Sequence, residues 1–460
     1  MKKFNYKSLI KYGLIFIYCF FALAFFYTVL RGDLYVNYGF SYAIRMGEVP
    51  YVDFNLVILP FAPVLDSLFL MFSKSIIFYY LGQAFLLTLF SYFIFKILKN
   101  KAWIYFVILS LPFPTAMASV LFPGYNFLLL FLTVIIIYLE KNNKSDYLIG
   151  ILLGCLFLTK QTVGGLLCLA SIYYLFSDYK KVLKRVAGFL IPILICFLYL
   201  LFSHSLYNCF DLCFLGLFDF GHSNFYYDKF YLICFIFAFV FLVYRIIKRP
   251  KDIVNYYLLL FSSCVYPLIE YYHVSLFLAL LFLVLLDDFN FSRDVSKYSI
   301  VFILAISFIW TFLEYCYFGN IKIINYHNLE LSIFSTEYTK NVEKLDRYLE
   351  KENKNVVYFL RGSENYFYKI KSDSFITYFD LPNYGNYGYN GTKKIISKLD
   401  NLSDVFVVVD ESLKNDSNKA QQYIKEGMDL IVKKGKLVKK INNYLMTKYK
   451  GIINEYYSKK

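Results

Sequence analysis

What most constrains this chain is a succession of long apolar runs broken by short clusters of Lys and Arg. The first run, from Tyr12 to Leu30, follows four lysines in the opening eleven residues. A cleaved secretory signal would carry a shorter apolar stretch ending in small residues, so this run reads as a retained span with its N-terminus in the cytoplasm. Further runs at 76–95, 102–120, 123–139, 146–159, 162–177, 186–203, 230–247, 253–269, 274–286 and 298–318 bring the total to eleven. Each fits a crossing helix of ~20 residues once tilt and short ends are allowed. At 59% hydrophobic and 22% aromatic over 460 residues, the composition is that of a polytopic helical membrane protein and not of a soluble core.

One apolar run is left out of that count. LVILPFAPVLDSLFLMF, residues 56–72, contains Pro60, Pro63 and Asp66. If it crossed, the next run would deliver the basic stretch KILKNK outside, against the positive-inside tendency. It is therefore expected to lie in the outer interface or re-enter. With that choice nineteen Lys and Arg fall in cytoplasmic segments and five (Arg31, Arg45, Lys74, Lys160 and Lys229) in external segments before the tail. An odd number of crossings then puts the C-terminus outside. The tail alternates helical and strand patterns: NVEKLDRYLEKENK before VVYFL at 356–360, GTKKIISKLD before DVFVVVDE at 404–411, a helix near 417–430, and a strand at 436–448. The fold expected is an α-helical polytopic membrane protein of about eleven transmembrane helices over residues 1–318. Juxtamembrane helices occupy its first external loop, and a small extracytoplasmic α/β domain follows over residues 319–460.

The net charge of +15 does not point to nucleic acid, because many of the cations flank hydrophobic spans instead of interleaving with aromatics on one exposed face. The nine cysteines show no metal-ligand spacing and read as buried apolar thiols. Cys209 and Cys213 are the close pair in a loop, and a disulfide between them is not favoured.

Ionisable groups at a membrane edge are costly, so each is a functional candidate weighed against capping or anchoring. Five outer segments carry them. The first loop holds Asp33, Glu48 and Asp53, with a helix expected over 34–46 ended by Gly47; Glu48 reads as a solvated turn residue. LTKQTVGG, 158–165, places Lys160 in a turn where the outer side is short of cations; the turn explains the glycines, and a phosphate ligand would explain the lysine. In YPLIEYYH, 266–273, Glu270 and His273 share a helix face, as a structural pair or as site groups. The loop at 204–229 carries His204, Asp211, Asp219, His222 and Asp228, most of them explained by solvated-loop chemistry. FPGYNF, 122–127, offers Tyr125 and Asn126 as either a cap or a contact, and LPNYGNYGYNG, 381–391, reads as an exposed turn or a saccharide-contacting loop. Together the outer groups describe one pocket with carboxylates able to accept a proton from a hydroxyl and a cation able to steady a leaving phosphate.

An acid just past the first span, followed by YxxxxxxIRxGxVPYxDF and a Pro-containing apolar segment, resembles the first external loop of the GT-C superfamily of polyprenyl-phosphate-dependent glycosyltransferases. Protein mannosyltransferase-like and aminoarabinose-transferase-like enzymes share this layout. The turn carrying Lys160, and Tyr266-Pro267 followed by Glu270 and His273, extend the resemblance over most of residues 1–318. It implies inverting transfer of a sugar from a polyprenyl-phosphate donor to a glycan, glycolipid or protein acceptor on the outer face. Asp33 matches the catalytic acid of the first loop, and Asp53 a second position there that is often acidic. Lys160 and His273 match contacts to the donor phosphate, and Glu270, Tyr266 and Asn126 complete the substrate-facing set. Relatives commonly carry two adjacent acids where this chain has Gly32-Asp33-Leu34, so Mg or Mn is an open cofactor and not an implied one. The competing functions are a polysaccharide polymerase or ligase and a transporter or flippase of lipid-linked saccharide. The first would be expected to use an Arg-rich external loop, and the second mid-bilayer charges and repeats.

Overall fold

A computed structural model describes residues 6–21, 23, 33–110, 124–218 and 225–288, together with shorter segments between 344 and 449. The expected span at 298–318 lies outside the described residues, as do the later parts of the runs 12–30 and 102–120 and nearly all of the helix expected at 417–430. The described chain is mostly helical. Its contacts divide it into two compact units: Met1–Leu30, Tyr80–Cys196 and Phe225–Ile323 form the first, and Arg31–Tyr79, Phe197–Asn224 and Ile324–Lys460 the second.

The first unit is built from α1 (Tyr6–Phe21), most of α4 (Ile76–Leu98), α5 (Ala102–Ser110), α6 (Tyr125–Lys141), α7 (Asp146–Thr159), α8 (Gln161–Cys168), most of α9 (Tyr179–Phe202), α11 (Lys229–Lys248), α12 (Ile253–Phe261) and α13 (Tyr271–Asp288). Among the described residues three stretches are long and apolar enough to cross a membrane: Ile76–Phe106, α9 and α11. The first is not straight. Lys99 takes φ +54°, and the rings of Phe90 and Tyr105 lie 6.4 Å apart, whereas fifteen residues of continuous helix would separate them by about 22 Å. KILKNK is therefore a reversal between α4 and α5. The runs read at 162–177 and 253–269 turn out shorter as α-helices, because α8 and α12 pass into 3-10 turns at Leu169–Tyr174 and Ser262–Val265.

Capping residues set several boundaries. Ser145 accepts a bond from Leu148 N at the start of α7, Asp228 from Phe230 N and Tyr231 N at the start of α11, and Asp252 from Val254 N at the start of α12. Ion pairs show which helix ends share one side. Arg185 of α9, 2% exposed, forks onto Glu140 at the end of α6 with Nη1–Oε1 2.7 Å and Nη2–Oε2 3.0 Å, and reaches Asp146 at the start of α7. Tyr174 and Tyr257 donate their hydroxyls to the same glutamate. Arg245 of α11, 4% exposed, joins Asp252 to Asp288 at the end of α13, and Lys101 donates to the carbonyl of Asp287. Buried arginines need such partners, because an unpaired charge out of water is strongly unfavourable. The ends of α6, α11 and α13 thus gather with the starts of α5, α7, α9 and α12, so these helices alternate in direction.

In the second unit, which also holds α10 (Leu206–Phe210), α2 (Asp33–Arg45) packs on α3 (Phe61–Phe69). Nine residues of helix reach about 14 Å, about half of a hydrocarbon core of ~30 Å, so α3 by itself does not cross. Arg45 Nε donates to Leu70 O at 3.2 Å, Phe40 stacks on Phe54 at 5.9 Å, and Tyr51 donates to Ile58 O at 2.7 Å. Gly47 takes φ +90°, the left-handed conformation that ends a helix at little cost to glycine. The C-terminal part of this unit is a four-stranded mixed sheet in the order β3 (Val356–Phe359), β4 (Val405–Asp410), β6 (Tyr444–Tyr449), β5 (Lys436–Ile441). The strand expected at 436–448 is two antiparallel strands, with Ile441 paired to Tyr444. Cys209 and Cys213 are both buried and are not joined by a disulfide.

Candidate functional site

The candidate groups of the first unit sit at the starts of α6, α8 and α13 and the ends of α7 and α12. Lys160 is the single extended residue between α7 and α8 (φ −151°, ψ 100°). Its position follows from the close return of α8 along α7: a Cβ at Gly164 would stand 2.3 Å from Leu156 O, so glycine is what permits the corner. From there the Lys160 ammonium donates to Asn126 Oδ1 at 3.1 Å and lies 5.6 Å from the Tyr125 ring centroid, within cation–π range. Asn126 is in the first turn of α6 and 4% exposed. Burial holds the Lys160 pKa below that of an ordinary lysine. Its partners are a neutral amide and a ring face, which leaves donor capacity on the ammonium for an anion.

His273 lies in the first turn of α13, after Glu270. Burial lowers its pKa, and the Lys160 charge pushes the same way. Glu270 Oε1 stands 3.3 Å from His273 Nδ1, close enough to oppose that shift, yet Nδ1 makes no aligned hydrogen bond among the described residues. The imidazole is therefore held neutral. Because the folded pKa lies below the unfolded value of 6.5, its contribution to stability is present above 6.5 and lost as pH falls through the folded pKa. The melting temperature in detergent is expected to drop from pH 7.5 to 5.5 less steeply for His273→Gln than for the unsubstituted protein. Parallel curves would remove the neutral imidazole from this description.

Tyr266 is 65% exposed, with its ring 6.2 Å from Phe225. It precedes a cis peptide bond to Pro267, after which β2 (Leu268–Ile269) pairs in parallel with β1 (Tyr226–Tyr227). The structure thus brings Asn126, Lys160, Glu270 and His273 into one unit with direct or electrostatic contacts between them, and puts Tyr266 on its surface.

Asp33 and Asp53 belong to the second unit. Asp33 is the first residue of α2, and its side chain lies outside the described residues. Asp53 is exposed and accepts from Val49 N at 2.6 Å, closing the turn after α2. Glu48, read as solvated, has both carboxylate oxygens shielded from solvent, because the reversal at Gly47 brings Glu48 N back onto Ala43 O. Asp211, also read as a solvated loop residue, is 8% exposed, accepts from Tyr389 N at 3.1 Å and pairs with Lys394. The loop 381–391 otherwise lies outside the described residues, as do Asp219 and His222.

Comparison with protein-family models, with curated proteins and with solved structures finds no match to this chain. Among the described residues no group of three or more His, Cys, Asp or Glu is placed to hold a metal ion.

Proposed function

We propose that this protein is a multi-pass membrane glycosyltransferase of the GT-C kind. It would transfer a sugar with inversion from a polyprenyl-phosphate donor to an acceptor hydroxyl on the outer face. The observation that carries this reading is the half-buried Lys160 ammonium, held by Asn126 and Tyr125 beside His273. A half-buried cation whose partners are neutral suits a phosphate leaving group, whose developing charge it stabilises during transfer. Neutral His273 can accept or donate a hydrogen bond there without repelling the lysine. Asp33 is assigned the base that takes the acceptor proton, with Asp53 as a second first-loop acid; both roles rest on the resemblance of the first loop.

Eleven crossings put the Lys160 corner and the C-terminal domain outside and the Arg185 and Arg245 clusters in the cytoplasm. Alternating helix directions and the ion-paired helix ends support that arrangement. In intact cells, a membrane-impermeant thiol reagent is expected to label Asn390→Cys and leave Asn100→Cys unmodified, in a background lacking the native cysteines. Labelling of position 100 from outside would overturn the orientation. The chemistry is tested by Asp33→Asn, expected to abolish transfer from a lipid-linked donor while the protein still folds and inserts.

A further inference from the structure

Where α4 turns into α5, the first turns of α1 lie alongside and leave a cleft of about 320 Å³, within the roughly 300–1,000 Å³ range of small-ligand sites. Three lysines line it, Lys11, Lys96 and Lys99, with the rings of Tyr12, Phe95 and Trp103. No carboxylate lines the cleft, and none of the three lysines has an acidic partner among the described residues. That is not for want of acids at this side of the unit. Arg185, Arg245 and Lys141 each pair with Asp or Glu there, and Lys101, beside the cleft, bonds the Asp287 carbonyl. A smaller cleft of about 160 Å³ over Glu140 and Arg185 contains both signs of charge and is already balanced.

The aromatic rings hold the cations in place. The Lys11 ammonium sits 2.9 Å from the Phe95 centroid and 5.6 Å from that of Trp103, and Lys96 lies 5.2 Å from the Tyr92 centroid. Lys99 keeps φ +54°, a backbone that glycine or asparagine would adopt with less strain. Ammonium groups lining one cleft repel one another, and an anion between them removes that repulsion. The cleft also lies at the end of an apolar helix of crossing length, at the depth where Tyr, Trp and Lys meet lipid headgroups.

We propose that this cleft binds the phosphate headgroup of an anionic membrane phospholipid. Basic pockets between membrane helices recognise such headgroups by charge, and the flanking rings fit the acyl-glycerol boundary. The proposal requires only that α4 lie in a membrane and does not depend on sugar transfer.

Trp103 is half-exposed in the cleft and the chain has only one other tryptophan, so the full chain carrying Trp310→Phe reports the site by fluorescence. In phosphatidylcholine vesicles, stepwise addition of phosphatidylglycerol is expected to shift Trp103 emission saturably. Lys96→Gln with Lys99→Gln, both exposed positions, should raise the phosphatidylglycerol fraction needed by about tenfold or more, and Arg at both positions should keep the response. No saturable shift, or an equal response in the Gln variant, would overturn the proposal. So would saturation by glycerol phosphate dissolved over neutral vesicles, which would make the ligand a soluble anion.

Discussion

Lys160→Met is expected to slow sugar transfer from a lipid-phosphate donor by about 10²–10³-fold while changing the melting temperature little. The two halves of that result have separate causes. On the proposed function the ammonium would meet charge that develops on the leaving phosphate, and a thioether could not. In folding, methionine fills similar space without the desolvation that already lowers the Lys160 pKa. Against this gain, Asn126 Oδ1 loses its donor, at a cost of about 1–3 kcal/mol. Lys160→Arg should retain part of the rate, since guanidinium also binds phosphate but is wider than the corner between α7 and α8. Initial rates in vesicles with a labelled lipid-linked sugar, paired with thermal unfolding, check both. A Lys160→Met protein that transfers sugar at the unsubstituted rate would remove Lys160 from the donor site.

Glu140→Ala is expected to have the opposite profile, losing about 3–5 kcal/mol of stability while the folded fraction keeps its transfer rate. Glu140 accepts both forks of Arg185 and the hydroxyls of Tyr174 and Tyr257. Its removal leaves a guanidinium that is 2% exposed with Asp146 as its remaining acid, and strands two hydroxyls. The glutamate ends α6 and the Lys160 partner Asn126 begins it, so the defect falls at the far end of that helix from the candidate donor group. Thermal unfolding in detergent reads the first effect, and rate per folded molecule the second. Unchanged stability would mean that the cluster is not what joins α6, α7 and α9.

The boundaries of α7 and the extent of α2 up to Gly47 were legible in the sequence because their signals are local: an apolar run and a glycine stop. So were Lys160, Asn126, Glu270 and His273, as polar groups at the ends of apolar runs. Their mutual arrangement was not, because Asn126 and Lys160 meet across the α7–α8 corner and thirty-four residues of chain. The same holds for Arg185 and Arg245, which read as cytoplasmic cations in a charge count and are buried by partners on other helices. Glu48 and Asp211 were read as solvated because one lies in a turn beside Pro50 and the other in the segment read as a loop at 204–229; a reversal in one case and a C-terminal segment in the other cover them. The strand read at 436–448 ran across the break between β5 and β6 because the β pattern continues on either side of it.

The most direct measurement is transfer of labelled sugar from polyprenyl phosphate by the purified chain in vesicles, with Asp33→Asn alongside. Outer-face glycosyl transfer predicts that the unsubstituted protein releases polyprenyl phosphate in step with label reaching an acceptor hydroxyl. The Asp33→Asn protein, equally folded and inserted, should do neither. Equal transfer by the two proteins would contradict the assignment of Asp33 as base, and no release from any polyprenyl-phosphate sugar by the unsubstituted protein would contradict the function itself.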